Sequence, residues 1–429
     1  MTAGDIGATN TRHLAGTNHV TTTVQTGDTP ASDIDSSYAW MRLAVAMALG
    51  TVGSVGMWSF VVMLPAIQAD FGITRAEASL PFTLTMAGFG LGGVVMGRLA
   101  DRFGIVFPIV VGVCALAAGY GLSSLAGSIW PFALAQCLLG VGSAATFGPL
   151  MSDISHWFER RRGIAVALVS SGNYLGGAVW PSVIQHFIES TGWRSTQGGV
   201  ALFCLVAILP LAMLMRRRAP AHPVAESGAG MPHIASLGIS PNALMVLLCI
   251  AGVACCVAMS MPQVHIVAYC GDLGYGPARG AEMLSLMLGF GLVSRISGGF
   301  IADRIGGVAT LLLSSALQSV ALLFYVFFDS LFSLYVISAL FGLFQGSIVP
   351  MYAILVREFF PAREAGVRVG IVLMATLGGM ALGGWMSGWL FDVTGSYQAA
   401  FVNGLGWNLL NLLIATWLLL RPGRRAAVA

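Results

Sequence analysis

The sequence predicts an all-α integral membrane protein: twelve transmembrane helices arranged as two six-helix repeats. Three observations carry this reading. Only 9% of the 429 residues are charged and 56% are hydrophobic, whereas a soluble chain of this size would carry roughly 25% charged residues to solvate its surface. The chain divides into runs free of Asp, Glu, Arg and Lys, each long enough to cross the ~30 Å hydrocarbon layer as a helix of about 20 residues. Its two halves also share motifs at a nearly constant offset.

The runs are 43–69, 78–97, 103–152, 163–188, 195–215, 227–271, 305–328, 330–356, 369–391 and 393–420. The third is 50 residues long and is interrupted by Gly127, Ser128 and Pro131, so it holds two spans. A further apolar segment, 281–302, contains only Glu282 at its start and Arg295. Strand-like alternation at the ~10-residue length of a membrane barrel is absent. In order along the chain, residues 1–38 are polar, lack a signal-peptide core and read as a disordered tail. A six-helix bundle is expected at 39–215, a Pro-, Gly- and Ala-rich linker at 216–242, a second bundle at 243–420 and a short tail at 421–429.

Charge sets the expected orientation. All 21 basic side chains are Arg; there is no Lys. With an even number of spans, seventeen arginines, Arg42, Arg98, Arg102 and the Arg160 and Arg216 clusters among them, fall on the side of the termini. Arg75, Arg194 and Arg279 fall on the other. The positive-inside rule then puts both termini in the cytoplasm of a multi-pass cell-membrane protein, most simply a bacterial inner membrane. A net charge of +3 gives no field for nucleic acid. The seven cysteines lack metal-ligand spacing and read as small helix-packing residues, so neither metal nor cofactor is expected.

The repeat is explicit. Gly97, Asp101, Arg102 and Gly104 recur as Gly299, Asp303, Arg304 and Gly306, and Thr191-Gly192 recurs as Thr394-Gly395. The segment Phe158 to Gly163 before span 5 likewise matches Phe360 to Gly366 before span 11. Parallel repeats of this kind build alternating-access carriers, with substrate bound at the midplane between the halves.

These residues resemble the major facilitator superfamily. The loop from Gly97 to Gly104 looks like that superfamily's signature between helices two and three, although Ile105 and Val106 replace the usual basic pair. Within it the chain is most similar to the monocarboxylate porters, including bacterial oxalate/formate-type carriers, through Leu64-Pro to Arg75, Trp157 to Gly163, Val264-His265 to Tyr269, and Ser294-Arg295 to Arg304. The resemblance covers 41–420. It implies a secondary transporter of small organic anions, most simply a monocarboxylate, working by proton symport or anion exchange and as a monomer. It also implies a latch at Gly97, Asp101, Arg102 and Gly104, with Asp303 and Arg304 as its repeat, that holds the cytoplasmic side in the outward-open state.

Arg295 is the sharpest signal for chemistry. A guanidinium stays charged at physiological pH, and inside the hydrocarbon it is expected to face a cavity or a partner. It lies about 14 residues into span 8, roughly 20 Å along the helix. Gly291, Gly298 and Gly299 surround it, and they predict an open face. A planar fork is the natural receptor for a carboxylate, and in the resembling family the equivalent arginine binds substrate. Many members carry an acid one turn earlier, where this chain has Gly291. The lysine of animal members is missing, as is the second cation that oxalate carriers hold in span 11, so a clamped dicarboxylate is not expected.

His265 in span 7 could relay a proton or donate to substrate; a hydrogen-bonded packing role is the alternative. Asn173, Gln345 and Phe147 could line the same cavity, although a buried amide more often bridges helices. Asp101 and Asp303 are expected at loop starts, capping a helix or pairing with Arg. Segments 153–162 and 358–368 read as gates or anchors. An efflux pump for lipophilic compounds is the rival transporter reading, and it would favour an acid in spans 1, 4 or 7, where none is expected. A membrane sensor would need an output domain larger than this tail and linker.

Overall fold

The computed structural model describes residues 34–217 and 239–421. The expected linker and both tails therefore lie largely outside the described residues. Every element among the described residues is helical.

Among the described residues twelve helical spans run in order: Ser37–Phe71, Arg75–Phe103, Val106–Ser124, Ile129–Ser155, Arg162–Thr191, Trp193–Leu214, Pro241–Asp272, Pro277–Ile305, Gly307–Phe327, Leu331–Phe359, Ala362–Thr394 and Tyr397–Leu420. They are numbered spans 1 to 12. Eleven are long and apolar enough to cross a membrane. The other, span 5, has 30 residues but carries Ser170, Ser171, Asn173 and Tyr174 in its middle, because it faces the seam between the halves rather than lipid alone. Leu125, Phe332, Phe327 and Leu413 stand exposed on the outside, a surface suited to acyl chains and not to water.

The helix ends follow from local chemistry. Thr74 accepts from the amide of Glu77 while the Glu77 carboxylate accepts from Thr74, a capping box that starts span 2. Glycines with positive φ, Gly104, Gly192, Gly306 and Gly395, make the short turns between consecutive spans possible. Three spans are broken: span 1 at Ser54, span 4 between Ala144 and Gly148, and span 10 between Gln345 and Ile348. The last two breaks occupy equivalent places in the two repeats. Both lie in the interior, where a discontinuous helix is tolerated because protein rather than lipid meets the freed backbone.

Spans 1 to 6 pack mainly among themselves, as do spans 7 to 12, and the halves meet where span 2 lies along span 11 and span 5 along span 8. Because the span number is even, the start of span 1 and the end of span 12 lie at one face, here the terminal face; the opposite one is the distal face. The seam is tight distally. A Cβ at Gly388 would meet the Arg75 carbonyl at 2.7 Å and one at Gly384 would meet the Phe82 ring at 2.9 Å; at mid-depth one at Gly90 would still meet Met374 at 2.9 Å. Toward the terminal face, Gly97, Gly299, Gly366 and Gly370 would meet nothing within 4 Å. The halves thus close at the distal face and splay apart at the terminal one.

Candidate functional site

Arg295 sits where spans 5 and 8 cross the seam. Its Nη1 donates to the Ser170 carbonyl at 3.2 Å, its guanidinium carbon lies 4.6 Å from the centre of the Tyr174 ring, and its Nε is buried without an acceptor. No carboxylate pairs with it among the described residues. A cation with one backbone acceptor, one aromatic face and a spare donor is incompletely satisfied.

The glycines around Arg295 are packed, contrary to the open face expected. A Cβ at Gly291 would meet the Tyr174 ring at 2.5 Å, and one at Gly298 would meet the Ser347 side chain at 2.2 Å. Only Gly299 is open. Gly346 lies against the Gly291 carbonyl, and the Ser294 hydroxyl accepts from the Ser347 amide, so this face of span 8 seats the break in span 10. The place above Gly291, where a family acid would stand, is filled by an aromatic ring from the other half. Tyr174 was not singled out by sequence; its signal was a tyrosine among Gly172, Gly176 and Gly177 on a polar stretch of span 5.

The other expected residues do not gather around Arg295. Asn173 turns to span 1, accepting from Trp58 Nε1 at 3.3 Å, while Gly172 and Gly176 bring spans 1 and 5 together. Gln345 accepts from Gln263 Nε2 at 2.9 Å, fully buried within the second half. Phe147 occupies the break in span 4 and packs on Phe89, with ring centres 5.7 Å apart. His265 is fully buried near the distal face. The Gly384 carbonyl can only accept, so His265 Nε2 donates to it at 2.7 Å and Nδ1 accepts from the Tyr397 hydroxyl at 3.0 Å.

That tyrosine belongs to a network centred on Arg75. Arg75 Nη1 donates to the Tyr397 oxygen at 2.7 Å and Nη2 to Asp272 at 3.1 Å, while the amides of Arg75 and Ala76 donate to the two Asp392 oxygens at 2.9 and 2.7 Å. Asp392, at the end of span 11, thereby caps span 2 across the seam. The guanidinium also lies over the Phe391 ring. From sequence Arg75 was assigned only to the face opposite the termini; it is the centre of the distal closure.

The family model described as the Major Facilitator Superfamily matches residues 46–333 and 248–428. The chain belongs to that superfamily. It is a multi-pass transporter and not an enzyme. It is 28% identical over 371 residues to monocarboxylate transporter 13 of Bos taurus, covering 86% of each chain. It is also similar, at 26% over 282 residues, to the agnestins efflux protein AgnL12 of Paecilomyces divaricatus, covering 65% of this chain and 63% of that one. Among solved structures it resembles a bacterial homologue of the human lysosomal transporter Spinster in an inward-facing and occupied conformation, with a TM-score of 0.69, 16% identity and coverage of 91% and 97%.

In this transporter the signature motif is helical rather than a loop. Asp101 and Asp303 lie in the last turns of spans 2 and 8, not at loop starts, and neither meets a polar partner among the described residues. Neither caps a helix. The segment beginning at Asp153 does anchor, but within its own half. Asp153 receives two hydrogen bonds from Arg42, at 2.8 and 2.9 Å, and Arg42, counted from sequence only among the charges on the side of the termini, is fully buried over Trp157. In the second repeat, Glu358 instead accepts from the Gly307 amide at 3.2 Å. Acids do therefore lie within spans 1, 4 and 7, as Asp70, Asp153 and Asp272, each paired with an arginine near a helix end.

Proposed function

We propose that this transporter carries small carboxylates, most simply monocarboxylates, by alternating access of its two halves. The observation that carries the reading is Arg295: a permanent cation in the seam, stacked on Tyr174, with no carboxylate partner among the described residues. A substrate carboxylate would supply the missing charge and accept from Nε as well. The similarity to a monocarboxylate transporter supports the same substrate class. The bundle boundaries at 39–215 and 243–420, and a monomeric working unit, belong to this reading too. The excess of arginine at the terminal face supports a cytoplasmic location for that face, so the conformation here would be open to the cytoplasm. Asp101 and Asp303, which meet no polar partner among the described residues, are then the latch in its released state.

Movement of the anion is by proton symport or by exchange. An exchanger needs no proton acceptor beside Arg295, since one anion can neutralise the arginine as another leaves. His265 is the proton acceptor a symporter would use, and Asn173, Gln345 and Phe147 would approach the substrate only after the halves move. The test is uptake of a panel of radiolabelled carboxylates into proteoliposomes, with and without an inward proton gradient, by the wild type and Arg295→Ala. Carboxylate uptake lost in the variant supports the reading. Efflux of lipophilic compounds is the second reading, favoured by the similarity to AgnL12, and transport of neutral lipophiles unaffected by Arg295→Ala would select it.

A further inference from the structure

Arg75 uses only part of its guanidinium. Nη1 is engaged by Tyr397 and Nη2 by one oxygen of Asp272, while Nε is shielded from water and has no acceptor. Nε and Nη2 form the edge that can receive both oxygens of one carboxylate side-on. Here that edge is half used, and at 7% exposure for the residue the unmet donor carries a desolvation penalty. Asp272 is held much less firmly. Its side chain is 37% exposed, and among the described residues Arg75 is its one polar side-chain partner. The pair stands on the wall of a cavity of about 400 Å³ between spans 1 and 7, lined also by Pro65, Gln68, Gly72 and Gly271.

We propose that this cavity is a second carboxylate site, at which a small organic anion arriving from the distal side displaces Asp272 and takes the Nε–Nη2 edge of Arg75. The class of ligand rests on the carboxylate reading of Arg295; the site itself rests on Arg75. Displacing Asp272 removes the ion pair that joins span 2 to span 7 and leaves the seam held by Tyr397 and Asp392. A carboxylate at this site thus loosens the closure from the side on which it arrives. An empty carrier, with Asp272 in place, keeps the distal face shut.

The test uses the full-length protein in detergent, with the native cysteines replaced and Ser79→Cys as reporter. Ser79 is fully buried against Gly388 in the closed seam. The probe is acetate, the bare carboxylate, with acetamide as neutral control, and the reading is the rate of maleimide labelling with probe relative to without. In an Arg295→Ala background acetate is expected to accelerate labelling and acetamide to leave it unchanged. Asp272→Asn should shift the acetate response to about fivefold lower concentration, the worth of a half-exposed ion pair. Arg75→Gln should remove the response, whatever its basal rate.

An acetate effect no larger than that of acetamide, or one that survives Arg75→Gln, overturns the proposal. A response present in the wild type but lost in Arg295→Ala assigns the effect to Arg295, which overturns the distal site and leaves the proposed function standing. Normal carboxylate uptake by Arg295→Ala with the response intact does the reverse. A second measurement keeps the native cysteines: acetate should raise the melting temperature of Asp272→Asn/Arg295→Ala and not that of Arg75→Gln/Arg295→Ala. Equal shifts in the two proteins would also overturn the site.

Discussion

The seam between the halves is held differently at its distal end and at its middle. Distally, Arg75 meets Asp272 and Tyr397 while Asp392 caps its helix, so one side chain and one helix start are tied to three elements of the other half. In the middle, Arg295 reaches across to a carbonyl and a ring but to no acid. Arg42, inside the first half, resembles Arg75: it has its carboxylate, Asp153. The difference teaches how to separate structural from functional charge in a membrane interior. Where the protein provides the anion, the arginine holds helices together for as long as that anion stays; where it withholds one, the cation is available to something that comes and goes.

The comparison is sharpened most by stability. Arg42→Ala leaves Asp153 buried without its cation and should cost about 3–5 kcal/mol, whereas Arg295→Ala strands no acid and should cost about 1 kcal/mol. Denaturation of both variants in the same detergent checks this, and equal losses would break the distinction. Gly388→Val places a branched side chain against the Arg75 carbonyl and should disfavour the closed distal seam by about 1–3 kcal/mol, read as faster labelling of a cysteine at Ser79. Unchanged labelling would mean that the seam is not packed as described.

Smaller effects are expected elsewhere. Tyr174→Leu keeps an apolar side chain over Gly291 but removes the aromatic face from Arg295, weakening carboxylate affinity by about 0.5–2 kcal/mol if the ring orients the guanidinium. Transport kinetics should show this in KM before kcat. Asp101→Asn should leave folding stability within about 0.5 kcal/mol, since no partner is lost. It should nevertheless raise labelling of a cysteine placed near Gly148, by weakening a latch that forms only when the terminal face closes. Unaltered labelling would return Asp101 to the role of a solvated charge.

Much of the fold was legible because the membrane imposes a length on each apolar run, and because the motif at Gly97 reappears at Gly299. Arg295 was legible for the same reason: one cation in an apolar run stands out. What surrounds it was not. The ring of Tyr174 arrives from another span of the other half, and spacing along span 8 carries no information about it. For Arg42 and Arg75 only a face was legible, because they lie near helix ends, where sequence cannot distinguish a guanidinium reaching into water from one folded back onto Asp153 or Asp272. His265 looked like a cavity residue by its depth, but its partners, Gly384 and Tyr397, are more than a hundred positions away. The breaks in spans 4 and 10 depend on packing against Gly53 and Gly291, which no local signal announces.

The account turns on Arg295 as the receptor for the transported anion. The most direct measurement is equilibrium binding and uptake of a radiolabelled monocarboxylate, chosen as the best substrate of the wild type, by purified wild type, Arg295→Lys and Arg295→Ala in the same proteoliposomes. Lysine keeps the charge but loses the two-pronged fork, so its uptake should fall to an intermediate level. Alanine should bind at least a hundredfold more weakly, as expected for removal of a buried charge partner, and should not transport. Alanine-variant uptake at the wild-type rate, with unchanged affinity, would contradict the account.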